Sequence, residues 1–290
     1  MTITKSDLSA KGREVQQKAV DKWMDEEAGL MAGNSELQSA VEDAFSYIEP
    51  MFEYMGRREP ERLVSMGEYL ADTRTTLTNP VIEEIDTIKG QLDDWDGQAA
   101  ENFIFDYLTP LPQTNANQVY YIGVLENTLK GVKAMLEEAR KNTNDLGDST
   151  IDALDALEDG SGVPLGLTIV AAVVGVVGAA VTGGASVVAA VSFATVAGAA
   201  GIGASAVVYE KQQVEGDDVE AVLSSMIDAY NKIIETRDTV EQDLADLLGQ
   251  DVTTVQSQAD RYRPKIPEIV GYGNSPQDDS RTRGRFEPPA

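Results

Sequence analysis

Residues 81–112 read VIEEIDTIKGQLDDWDGQAAENFIFDYLTPLP, and their pattern decides the fold class. Val81, Ile85, Ile88, Leu92 and Trp95 step by four, three, four and three. That spacing lays an apolar stripe along one face of a helix. Ala100, Phe103 and Tyr107 then resume helical spacing. Between the two stripes stands Trp95-Asp96-Gly97. Gly97 has a backbone free to take positive φ, which suits the residue just past a helix end. The stretch therefore predicts two antiparallel helices joined by a tight turn, with an indole packing between them. It predicts a scaffold and a recognition surface, with no reactive group in sight.

Working outward, the rest of the chain also reads as helix. Residues 5–28 predict a charged helix. Asn34 or Ser35 caps a second helix that buries Leu37, Val41, Ala44, Phe45 and Ile48, with Pro50 near its end or kinking it. Pro60 fits the first turn of a third helix. Pro80 fits the first turn of the helix leading to Trp95, with Asn79 as its cap. Pro110 and Pro112 make a break after Tyr107. A long helix follows, with Val119, Ile122, Leu125, Leu129, Val132 and Leu136 along one face. Asn142 to Asp148, with Gly147, reads as a polar connector. Residues 217–248 predict an amphipathic helix carrying Val219, Val222, Met226, Ile233, Val240, Leu244 and Leu247. No run of period-two alternation is long enough to predict a sheet. From Arg263 onward, Pro, Gly, Asp and Arg predominate and predict a flexible tail.

Residues 160–209 contain no charged residue. Thr182-Gly183-Gly184 divides them into two arms, which predicts an apolar helical hairpin. The first arm, Val163 to Val181, approaches the roughly 20 residues that span a bilayer core. Ala171, Gly175 and Ala179 in one arm, and Ala194 and Gly198 in the other, form rows of small residues that let helices approach closely. A soluble bundle centre and a membrane hairpin both satisfy this composition.

Composition excludes several classes of function. The formal net charge is −26, whereas nucleic-acid surfaces need clustered Lys and Arg. Electrostatic docking on anionic lipid is disfavoured for the same reason. Cysteine and histidine are both absent. There is thus no disulfide, no thiolate nucleophile, and neither the commonest general base nor the commonest metal ligand. The glycines of the apolar block precede no Gly-Lys-Ser/Thr, so they form no phosphate loop. Adjacent acids such as Glu26-Glu27, Glu83-Glu84 and Glu137-Glu138 fan out around a helix instead of converging. No catalytic, cofactor or metal residues are expected, and the chain reads as non-enzymatic. Its first residues, MTITKSDLSAKGREVQQKAVDKW, have no apolar core of a secretory signal peptide.

Trp95 and Gly97, followed by Ala99, Ala100 and Phe103, give the pattern W-x-G then A-A-x-x-F. This resembles the WXG-type helical-hairpin proteins exported by the type VII (ESX) secretion system of Gram-positive bacteria. The resemblance covers roughly residues 80–145, and the Ala/Gly/Val-rich block that follows matches longer, actinobacterial-like members. It implies an interaction motif at Trp95, Gly97, Ala100 and Phe103, packing on a helical partner or on a second copy, and contact with the secretion ATPase machinery. The family's export signal is commonly a Tyr with an acid four residues on. Here Tyr107, Tyr120 and Tyr230 are followed at that distance by Leu111, Val124 and Ile234, so the resemblance implies export together with a partner that carries the signal.

The combined expectation is an all-α bundle. Helices occupy 1–78, the WXG-like hairpin 79–147, the apolar hairpin 160–209, an amphipathic helix region 215–260 and a flexible tail 263–290. The expected function is that of a type VII secretion substrate or its helix-packing partner, reaching the cell surface or medium without a signal peptide. The alternative is a membrane-active or membrane-anchored effector working through residues 163–209.

Overall fold

The computed structural model describes residues 2–26, 35–78, 81–92, 95, 97–158, 165–170 and 209–263. The protein is all-α, with one short strand pair among the described residues. The chain divides into two compact units, one of Met1–Ala71 with Gly123–Thr253 and one of Asp72–Ile122 with Thr254–Ala290.

In the first unit, α1 spans Lys5–Glu26. Thr4 and Asp7 start it reciprocally. The Asp7 amide donates to Thr4 Oγ1 at 3.2 Å, and the Thr4 amide donates to the Asp7 carboxylate at 2.8 Å. This capping box satisfies two amides that a helix start leaves open. Leu8, Gly12, Val15 and Ala19 form its buried face. They pack on α3 (Ile48–Gly56), where Ile48 and Phe52 are fully buried. Gly12 is required by this contact, since a Cβ there would lie 2.9 Å from both Glu49 Cα and Phe52 Cβ.

The segment predicted as one helix from Asn34 or Ser35 is two. α2 covers Ser35–Ala44, residues 45–47 turn, and α3 begins at Ile48. Pro50 therefore sits in the first turn of α3, where its missing amide breaks no helical bond. Val41, Phe45 and Ile48 are buried as expected, but Ala44 is exposed. Pro60 lies just before α4 (Glu61–Thr78).

The largest departure is α7, a single helix over Leu111–Glu158. Asn142 to Asp148, predicted as a connector, lies inside it. Asn142 and Thr143 are buried there, Thr143 Oγ1 donates to the Ala139 carbonyl, and just beyond the segment the buried Thr150 Oγ1 donates likewise to the Leu146 carbonyl. Hydroxyls that back-bond in this way need no solvent. Gly147 lets the side chains of Lys11 and Phe52 approach, with Phe52 Cε1 3.0 Å from where its Cβ would be. The buried face also differs from the predicted stripe. Leu136 is buried, but Leu125 is exposed and Val119, Ile122, Leu129 and Val132 are half-buried. Met135, Ala139, Leu146, Ala153 and Leu154 take the inward positions.

Arg140 is 2% exposed and ties three segments of this unit together. Its guanidinium donates to the carbonyls of Ile3, Gly56 and Arg58 and to the Glu61 carboxylate. It thereby satisfies carbonyls at the C-terminal end of α3, where a cation also suits the helix dipole.

α8 spans Val219–Ser257 and is capped by Asp218, whose Oδ1 accepts the Ala221 amide at 2.7 Å. Val219, Val222, Met226, Ile233, Val240 and Leu244 are buried as the periodicity predicts, and Leu247 is half-buried. Tyr230 packs in the same core and donates to the Met51 carbonyl at 2.6 Å. Burial pushes its phenol up to about 12.

Residues 165–170, predicted as part of a helical arm, form strand β1, paired antiparallel with β2 (Tyr209–Val214) from Leu165↔Val214 to Val170↔Tyr209. The expectation of no strands is corrected with it. A short continuous apolar run has no periodicity that separates strand from helix, and Thr168, Ile169 and Val170 are β-branched, which favours extended backbone. The remainder of the predicted apolar hairpin, residues 160–164 and 171–208, lies outside the described residues. So do the Asn34 and Asn79 caps and the tail from 264 onward.

Candidate functional site

The W-x-G turn lies in the second unit. It follows α5 (Val81–Gln91), and Ile85 is buried there while Ile88 is 38% exposed. The chain leaves α5 through bonds from the Leu92 amide to the Ile88 and Lys89 carbonyls and from the Trp95 amide to the Leu92 carbonyl at 2.9 Å. Gly97 has φ 102° and ψ 169°, a region essentially confined to glycine. It stands at the start of α6 (Gln98–Asn102), and its carbonyl accepts the Glu101 amide at 3.1 Å. Its positive φ thus serves the entry to the following helix.

The backbone then widens into a π-helical turn over Phe103–Leu108. The Thr109 amide and hydroxyl both donate to the Ile104 carbonyl, at 2.9 and 2.7 Å. A π turn adds a residue to the helical circuit and re-aims the side chains beyond it. Phe103 and Tyr107 stack with centroids 5.4 Å apart and 20° between planes. Trp95 meets Phe103 edge-on at 5.8 Å and 64°. Three aromatic rings therefore run in a row, in geometries that favour ring pairs.

Of the four predicted motif residues, the structure joins Trp95 and Phe103 by a ring contact, and Ala100 and Gly97 take other roles. Trp95 heads the aromatic row and is 45% exposed. Phe103 is half-buried at the centre of the row, and Ala100 is buried at 1% exposure. Gly97 contributes only backbone, since nothing lies within 4 Å of where its Cβ would be. Phe105, 69% exposed, was not singled out from the sequence. Nothing in residue type or spacing announces a π turn, so its outward placement had no sequence signal.

The same unit holds a second aromatic group, in which Tyr121 meets Tyr120 and Tyr262 edge-on, each at 5.1 Å. Asn117 and Gln118 donate to the carbonyls of Arg261 and Tyr262 at 3.1 and 2.8 Å. These bonds fix the end of the described chain on α7.

Among the described residues no group of three or more acidic side chains is arranged to hold a metal ion. No helix among them is long and apolar enough to cross a membrane. A scan of family models, a search of curated proteins and a search of solved structures each returned no match to this chain.

Proposed function

We propose that the protein is a non-enzymatic helix-packing protein of the WXG type, exported by a type VII secretion system or paired with a protein that is. The observation that carries this reading is the W-x-G turn itself. Gly97 adopts a backbone conformation that other residues resist, and Trp95 presents nearly half of its surface beside Phe103 and Tyr107. Rigid aromatic rings that are partly open to solvent make good anchors for a helical partner. With no acid four residues beyond Tyr107, Tyr120 or Tyr230, the partner supplies the export signal. The test compares the culture medium of wild-type cells with that of cells lacking the secretion ATPase. The protein is expected in the medium of the wild type only, and equal amounts in both overturn the reading.

A second reading is favoured by the uncharged block. Val170 and Tyr209 are paired across β1 and β2, so the uncharged residues between them leave and rejoin the first unit at one place. A membrane-active or membrane-anchored effector working through residues 163–209 fits this arrangement. Flotation of the purified protein with liposomes tests it, beside a variant lacking residues 171–208. Flotation of the intact protein alone supports lipid contact, and failure of both to float rejects it.

A further inference from the structure

We propose that the partner of the aromatic row of Trp95, Phe103 and Tyr107 is a different protein, and that it docks through an amphipathic helix whose apolar stripe is bordered by arginine or lysine. This partner chemistry rests on the row serving as an anchor for a helical protein.

Ring spacing selects a helix. The centroids of Trp95 and Phe103 are 5.8 Å apart, and those of Phe103 and Tyr107 are 5.4 Å apart. One turn of α-helix rises about 5.4 Å, whereas side chains on one face of a strand repeat at about 6.6 Å. Side chains on successive turns of a partner helix therefore meet successive rings. Trp95, at the head of the row, leaves nearly half of its surface for such a helix to cover.

Charge selects the border of that helix. Between Glu83 and Asp106 the sequence places eight carboxylates and one cation, Lys89. Of these acids Glu84, Asp86, Glu101 and Asp106 are exposed, and among the described residues none of the four carboxylates forms an ion pair or a hydrogen bond. In the first unit, by contrast, Glu49, Glu53, Asp148, Asp155 and Glu241 each meet a lysine or an arginine. The acids that flank the row in sequence thus lack the cations that these others have, and a partner can supply them. Arginine serves best, because its planar guanidinium pairs with a carboxylate and also lies favourably over Trp or Tyr. A second copy of the chain fails the same criterion. A two-fold pair through this face sets one patch against itself, so four unpaired carboxylates would meet four more, and like charges across an interface weaken binding.

The test uses the full chain with Trp23→Phe, which leaves Trp95 as the one tryptophan, and three synthetic helical peptides of about five turns that contain no aromatic residue. The first carries a leucine stripe bordered by arginines. The second scrambles the same composition, and the third keeps the stripe with glutamate in place of arginine. The readout is the wavelength of Trp95 emission as each peptide is added, with circular dichroism to verify that the protein is folded. The arginine-bordered peptide is expected to shift the emission to the blue with saturation, and the other two to leave it in place. Its affinity is expected to fall about ten-fold at high salt. A chain that also carries Glu84→Lys, Asp86→Lys, Glu101→Lys and Asp106→Lys is expected to exchange its preference, taking the glutamate peptide and refusing the arginine one. No shift with the arginine-bordered peptide, or an equal shift with the scrambled one, overturns the proposal. A blue shift that grows with protein concentration in the absence of peptide also overturns it, since the occupant would then be a second copy. Export is read separately in the culture medium. A chain that takes the arginine peptide but is not exported refutes export alone, and an exported chain that refuses the peptide refutes this partner chemistry alone.

Discussion

At Gly97 the backbone sits at φ 102°, ψ 169°, with open space where a Cβ would go. Substitution there strains the main chain without a clash. Gly97→Ala is expected to destabilise the protein by about 1–3 kcal/mol, the usual cost of such a conformation; thermal or urea unfolding measures it. Trp95 behaves differently. It is 45% exposed, so Trp95→Ala is expected to cost about 1 kcal/mol of stability, well below the roughly 3–5 kcal/mol of a buried aromatic. The demand for positive φ at Gly97 was legible in the sequence, because no other residue type serves it so readily. Its attachment to the second helix was not legible. A Gly suits either the end of one helix or the approach to the next, and only the bonds from Leu92 and Glu101 distinguish them. Phe105 escaped for a related reason, since helical spacing assumes an α-turn and the chain takes a π-turn there.

Among the elements, α8 was readable because its apolar residues are large and evenly spaced. α7 was not. Its inner face uses Thr143, Thr150, Gly147 and Arg140, which look like loop and surface residues until their partners are known. Arg140 carries the most consequence. Arg140→Met leaves the carbonyls of Ile3, Gly56 and Arg58 without their donor, and is expected to cost about 3–5 kcal/mol, measured by urea unfolding. Gly12→Ala tests the closeness of α1 and α3. With 2.9 Å to Glu49 Cα the backbones must part, and a loss of about 1–3 kcal/mol is expected. The strand pair was invisible because β1 belongs to an uninterrupted apolar run and β2 is largely polar.

For the molecule as a whole, titration links the core to pH. The native state keeps the Tyr230 proton to about 12, whereas an unfolded tyrosine releases it near 10.0. This contribution is present below pH 10 and is lost as the pH rises towards 12. Tyr230→Phe is expected to flatten the alkaline limb of a stability–pH profile. On the acid side, Arg13 and then Ser9 hold the Glu49 carboxyl below its ordinary range. That contribution is present above the ordinary range and fades as the pH falls through the lowered value, so Glu49→Gln should soften the acid limb.

The all-α class was legible from periodicity over most of the chain, whereas the use of the Trp95 face rests on resemblance and exposure together. One paired measurement tests that use directly: the amounts of wild-type protein and of Trp95→Ala inside cells and in their medium, with the secretion ATPase present. The account predicts equal amounts inside and loss of the variant from the medium. Trp95→Ala appearing in the medium at the wild-type level would contradict it.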